Sequence, residues 1–116
     1  MTDPRPWRAI LARLQLVPEL VDLGATLASA WVANLAVPAI LVVPARRVEL
    51  VGSSVRWELA LQVVVPLQAD DDEQLHHLLE VALAALPPGV IRGDTTYGQD
   101  DRAGASYVVS TTTLNV

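Results

Sequence analysis

The sequence predicts an α+β domain: an antiparallel sheet built on a long β-hairpin, with helices packed on one face. Three observations predict it. The stretch PAILVVPARRVELVGSSVRWELALQVVVP, Pro38 to Pro66, holds two apolar, β-branched runs on either side of a Gly52-Ser53-Ser54 turn signal. Ala69 to Leu86 repeats leucine and alanine at helical spacing behind an acidic start. Tyr107 to Val116 is rich in Tyr, Val and Thr, the composition of a strand. With 116 residues there is room for one core, so residues 1–116 are read as a single domain.

The elements follow in order. Asp3 and Pro4 open a first helix, since Asp can cap and a Pro at the first helical position gives up only an N–H that would be unpaired anyway. Trp7, Ile10, Leu11 and Leu14 then form one apolar face at i, i+3, i+4, i+7, with Arg5, Arg8 and Arg13 off it. Pro18 stops this helix before Val17. Val17 to Asp22 fits a short extended segment. Ala25 to Trp31, after Gly24, fits a second short helix, with Leu27 and Trp31 at i, i+4 and an exit over Asn34 to Pro38.

Pro38 to Leu50 is the first long strand. Four consecutive apolar residues, Ile40 to Val43, imply that both of its faces are covered there. Val55 to Pro66 is the second. Val55, Trp57, Leu59, Leu61, Val63 and Val65 share one face, and Arg56, Glu58 and Gln62 the other, with Val64 breaking the polar set. In the helix over Ala69 to Leu86, Asp70, Asp71, Asp72 and Glu73 meet the positive end of the helix dipole. Leu75, Leu78, Leu79, Ala82, Leu83 and Leu86 face the core, and Pro87-Pro88-Gly89 ends it. Val90 to Gly104 reads as a polar, Gly-rich loop with at most a short strand at Val90-Ile91, leading into the last strand.

Composition narrows the function. Hydrophobic residues make up 52% of the chain and charged residues 18%, a balance that leaves apolar surface on a small monomer and favours an oligomer or a docked subunit. The net charge is -5 and all eight basic residues are Arg, with no cluster beyond Arg46-Arg47, which argues against a nucleic-acid groove. Without cysteine there is no disulfide, thiolate metal site or Cys nucleophile. The N-terminus lacks the pattern of a signal peptide. The uncharged run from Leu23 to Ala45 is long enough to cross a bilayer, but Pro38 and Pro44 interrupt it, Gly24, Thr26, Ser29 and Asn34 dilute it, and Ile40 to Val43 reads as strand; no membrane span is expected.

Residue patterns that could carry chemistry are few. His76 and His77 follow Asp72 and Glu73 at i, i+4, a spacing that can hold a metal, yet no distant His or Cys completes a site and a solvated helix face accounts for them. Asp70 to Asp72 is explained by helix capping. Asp94, Asp100 and Asp101 lack the alternation and distal Glu of an EF-hand loop. No GxxxxGK[ST], GxGxxG or GxSxG pattern occurs. Trp7, Trp31 and Trp57 are read as core fillers at the helix–sheet contact, or one of them as an interface anchor. Arg46 and Arg47 lie across the hairpin from Arg56, where Glu49 or Glu58 can pair with them, or where they form a charged docking patch. No cofactor, metal or catalytic residue is expected, and the chain reads as non-enzymatic.

The succession LVPELVDLGATLASA, PAILVVPARR, VRWELALQVVVPL, DDDEQLHHLLEVALAAL and a Thr/Val terminal strand resembles the tail terminator, or tail completion, proteins of long-tailed bacteriophages, especially those of actinobacterial hosts, over residues 5 to 116. The resemblance implies a structural virion protein at the tail–neck junction, assembled in the host cytoplasm. Such a protein forms a homo-oligomeric ring, usually a hexamer, on the head-proximal end of the tail tube. The ring stops tube polymerisation, contacts the major tail tube protein and offers a docking surface to head-completion or neck proteins. DNA passes through its lumen without sequence-specific binding. The expected interface residues are Arg46, Arg47, Arg56, Asp94, Tyr97, Asp100, Asp101 and Arg102. Two alternatives stand beside this reading: a head–tail connector or head-closure protein, and a small oligomeric ligand-binding regulatory domain.

Overall fold

The computed structural model describes residues 6–32, 35–49, 55–68, 71–102 and 104–116, and the side chains of all of these except 45–49, 55, 56 and 71. In chain order the elements are α1 (Pro6–Leu14), α2 (Pro18–Asp22), β1 (Thr26–Ala28), β2 (Ala39–Glu49), β3 (Val55–Pro66), α3 (Asp71–Ala84), β4 (Ile91–Arg102) and β5 (Ala105–Asn115). The strands form one sheet in the order β1-β2-β3-β5-β4. All neighbours are antiparallel except β1 and β2, which run parallel. The α+β class, the β2–β3 hairpin and the helices on one face are as the sequence predicts.

The period-2 pattern of β3 sorts the two sides of the sheet. Leu59, Leu61, Val63 and Val65 join Ile40 and Val42 of β2 and Leu114 of β5 beneath Ile10, Leu14 and Leu20 of the first two helices and Leu75, Leu78, Leu79 and Ala82 of α3. Trp7 closes this core toward the hairpin, its ring meeting Trp57 edge-on at 5.0 Å. On the other side Ala39, Leu41 and Val64 form a smaller cluster with Ala28, Trp31, Leu35, Val37, Val43, Tyr107 and Val109. The run from Ile40 to Val42 is therefore buried on both faces, and Val64 is apolar because the segment after β1 covers it. Fully burying each of the Val, Leu and Ile side chains contributes roughly 1.5–3 kcal/mol, so the apolar pattern of β2 and β3 fixes which face of the sheet meets the helices.

Four segments differ from the sequence reading. The segment from Val17 to Asp22 is not extended: Pro18 both ends α1 and starts α2, with Val17 in an extended conformation before it. Gly24 then takes φ 68°, which only glycine adopts without strain, and turns the chain into a strand. The stretch from Ala25 to Trp31 is accordingly not a helix. The Thr26 N–H donates to the Pro38 carbonyl at 3.0 Å, and β1 pairs with Ala39–Leu41. Strand alternation sends Leu27 to the helix-side core and Ala28 to the opposite cluster, where Trp31 also lies, so Leu27 and Trp31 do not share a face. Trp31 is thus not at the helix–sheet contact, unlike Trp7 and Trp57.

The largest correction is that residues 91–102 are not a loop but the strand β4, paired with β5 along its length. A strand at a sheet edge, with one neighbour and water on the other side, needs no apolar face to form. Its hairpin turn is closed by Gly104 at φ 81°. The helix α3 is also shorter than the predicted span, ending in a turn at Ala85; Ala69 and Asp70 lie outside the described residues. Asp3 and Pro4, and the Gly52-Ser53-Ser54 turn, lie outside them as well. No described helix is long and apolar enough to cross a membrane.

Candidate functional site

The eight residues singled out from the sequence fall into two groups on different strands. Arg46, Arg47 and Arg56 sit near the hairpin end of β2 and β3, where Arg46 is in register with Glu58, Arg47 with Trp57 and Arg56 with Val48. The register puts Arg46 and Glu58 at directly opposed positions, one of the pairings considered above, but Arg56 does not lie across from Arg46 or Arg47 as expected, because the strand register sets it opposite Val48; the side chains of the three arginines lie outside the described residues. Asp94, Tyr97, Asp100, Asp101 and Arg102 all belong to β4. Because β3 and β5 lie between β2 and β4, the fold does not bring the two groups together within one chain.

Around the β4 group the structure assembles a site on the face away from the helices. The Arg102 Nε donates to Asp100 Oδ2 at 2.7 Å. The Arg102 guanidinium stands 4.1 Å from the centre of the Trp31 ring. The Trp31 Nε1–H donates to Gln62 Oε1 at 3.1 Å, and the Gln62 amide donates to Thr111 Oγ1 at 3.4 Å. Tyr107 packs edge-on against Trp31 at 6.0 Å. Thr96, Tyr97, Gly98, Gln99 and Val109 complete the lining of a shallow cleft of about 250 Å³. An added Cβ at Gly98 would meet no atom within 4 Å, so this glycine leaves space rather than relieving a clash.

Sequence reasoning named Asp100 and Arg102 here but missed Trp31, Gln62, Tyr107 and Thr111. The available signal was Gln62, a polar residue between Leu61 and Val63 on the face of β3 opposite the core. Its partner Trp31 arrives only because β1 is a strand and redirects the following segment over that face.

On the helix side of β4, Tyr97 is half exposed and lies beside the His76 ring at 5.5 Å. His76 Nδ1 donates to the Asp72 backbone carbonyl at 2.7 Å, and His77 Nε2 lies 3.5 Å from Glu19 Oε2, tying α3 to α2. The histidines are thus used in contacts within the domain and do not converge with Asp72 and Glu73. Among the described residues no group of three or more His, Asp or Glu side chains is arranged to hold a metal ion.

The third element of the site is backbone. β4 and β1 are the two edges of the sheet, twelve and three residues long. On the side of β2 away from β3, no described strand lies beside it beyond Leu41, where β1 ends, up to Glu49. Pro44, which cannot donate to a ladder, and a β-bulge between Pro44 and Arg46 occur in this open stretch, as befits an edge. β5 pairs with β3 as far as Asn115 opposite Glu58, and Val116 and Trp57 exchange backbone hydrogen bonds at 3.0 and 3.1 Å. On its β2 side the hairpin continues past β1, the strand that flanks it there. Large apolar side chains are exposed here and on the helical side: Ile91 (69%) on β4, Leu16 (81%) in the turn after α1 and Val21 (63%) on α2.

No protein-family model matches the chain, and no curated protein matches it at a significant level.

Proposed function

We propose that this chain is a ring-forming structural subunit of a phage-like particle, a tail terminator that caps the head-proximal end of the tail tube and receives the neck proteins. The observation that carries this reading is the pair of open sheet margins. The twelve-residue edge β4 and the stretch of β2 beyond Leu41, which no described strand flanks on its outer side, present backbone donors and acceptors on opposite sides of one sheet. A subunit with a different open edge on each side adds copies head to tail, and such addition closes into a ring when the rotation per subunit divides a circle. The sequence resemblance to tail terminators supports the same role, and a net charge of -5 suits a lumen through which DNA slides without being gripped.

Electron microscopy of particles assembled with and without the chain tests this. Overlong, headless tubes in its absence, and a ring at the tube end in its presence, are the expected results. Tails of normal length without it refute the terminator role; normal tails on heads that leak DNA point instead to a connector or head-closure protein. A second reading, a ligand-binding regulatory domain that would use the cleft beside Trp31, predicts thermal stabilisation by a small molecule and a compact dimer instead of a ring.

A further inference from the structure

We infer that the ring contact is a continuous intersubunit sheet: the C-terminal half of β4 in one copy pairs antiparallel with the hairpin end of β2 in the next. This rests on the proposal that the chain forms a ring. Strand direction supports it first. β2 is antiparallel to β3, β3 to β5, and β5 to β4, so β4 runs antiparallel to β2 within one chain. A neighbour related by a simple rotation about a ring axis keeps that direction. Its β4 arrives beside β2 in the antiparallel sense, with its helices on the same side of the sheet, and every copy makes the same contact.

Length and charge define the segment. Among the described residues, the lane on the side of β2 away from β3 is open after Leu41, because β1 occupies Ala39–Leu41. A β4 whose turn stops short of β1 lies along Pro44–Glu49 with Tyr97–Arg102. That is six residues on each strand, roughly 20 Å of ladder. The lane carries Arg46, Arg47 and Glu49; the incoming strand carries Asp100, Asp101 and Arg102. In this alignment Asp100 falls opposite Arg46, and Asp101, opposite Ala45, is the diagonal neighbour of Arg47. A bulge and charges on an edge ordinarily repel unrelated strands. Complementary charges convert that protection into selectivity for one partner, a second copy of this chain. Pro44 withholds one donor from the ladder, so the charges and side-chain contacts matter more here than in an unbroken pair.

The test uses the full chain in two charge-reversed forms, Arg46→Glu with Arg47→Glu, and Asp100→Arg with Asp101→Arg, followed by sedimentation velocity and native mass spectrometry from micromolar to millimolar protein. Each form alone is expected to need at least about tenfold more protein than wild type to assemble, since each places like charges opposite one another. Mixing the two restores assembly, because each form supplies the complement that the other has lost; this restoration also shows that both are folded. If both reversed forms assemble as wild type does, the edge contact is refuted while the ring reading stands. If only the β4 reversal matters, β4 pairs elsewhere and the contact is again refuted. A wild-type chain that stays monomeric throughout refutes the contact and the self-assembling ring together.

Discussion

Two buried hydroxyls on the same face of β5 should respond to removal with opposite signs. Ser110 is fully buried, and its Oγ has no hydrogen-bond partner among the described residues; it sits in register with Val63 of β3 and Tyr97 of β4. Thr112 is buried two residues on, but its Oγ1 lies 2.7 Å from Thr95 Oγ1. A buried hydroxyl without a partner costs about 1–3 kcal/mol of desolvation. Ser110→Ala removes that cost and forfeits only the few dispersion contacts of one oxygen, so a gain of about 1 kcal/mol is expected. Thr112→Val keeps the shape, removes a satisfied bond and leaves the half-buried Thr95 hydroxyl to find water, a loss of about 1 kcal/mol. For a domain of this size 1 kcal/mol corresponds to roughly 4 °C in Tm, so the two variants should lie about 8 °C apart on either side of wild type. Urea unfolding monitored by circular dichroism gives the same quantity as a shift in midpoint at constant slope. A Ser110→Ala variant destabilised by about 1 kcal/mol or more would show that the hydroxyl is bonded and that the reasoning fails.

Other substitutions test the scaffold. Leu78→Ala in α3 removes a fully buried side chain from the helix–sheet core and should cost about 2–5 kcal/mol in urea unfolding; a cost below about 1 kcal/mol would contradict the packing of α3 on β3. Gly104→Val forces a β-branched residue to φ 81° at the β4–β5 turn and should cost about 1–3 kcal/mol, whereas Gly98→Ala, whose Cβ would meet open space, should stay within about 0.5 kcal/mol of wild type. Gln62→Leu deletes the acceptor of the Trp31 indole N–H and should cost about 1 kcal/mol, with the Trp31 indole proton moving in an NMR spectrum while those of Trp7 and Trp57 hold.

What was legible in the sequence follows from which interactions decide each segment. β2, β3 and α3 are specified by their own apolar periodicity, because each buries a face against the core, and their spans come out to within a few residues. β4 was illegible because nothing in it is buried for its own sake. IRGDTTYGQDDR has no apolar face, and what makes it a strand is the ladder with β5, a partner that local pattern does not reveal. β1 failed for a related reason. Ala-Thr-Leu-Ala-Ser-Ala has high helical propensity, but three residues of parallel pairing with β2, set by the Gly24 turn, outweigh it. The same two elements position the site, so its residues were only half recoverable: those on β4 were named as polar residues of a loop, while Trp31 and Gln62 depend on a topology that the local pattern leaves open.

The chemistry of the cleft itself bears on how the molecule works. Trp31 has its indole N–H committed to Gln62, its ring covered by the Arg102 guanidinium and Tyr107 packed edge-on. The Arg102 Nε donates to Asp100 at 2.7 Å, and Gln62 spends its amide on Thr111. A small ligand entering here would have to displace contacts already made, and each displaced polar group would need a replacement to avoid a desolvation cost. The cluster is better suited to a mechanical task. Through Trp31 it ties the segment after β1 to the end of β4, and through Gln62 and Thr111 it ties both to the middle of the sheet. An edge strand held from one side only would fray, and a frayed edge loses ordering entropy whenever it meets a partner. Pinning Asp100 and Arg102 in place reduces that loss for whatever strand binds there. Gln62→Leu, which leaves every charge on β4 intact, is therefore expected to weaken self-assembly as well as stability. If assembly in that variant is unchanged while the Trp31 indole resonance moves, the pinning role is wrong even though the hydrogen bond is real.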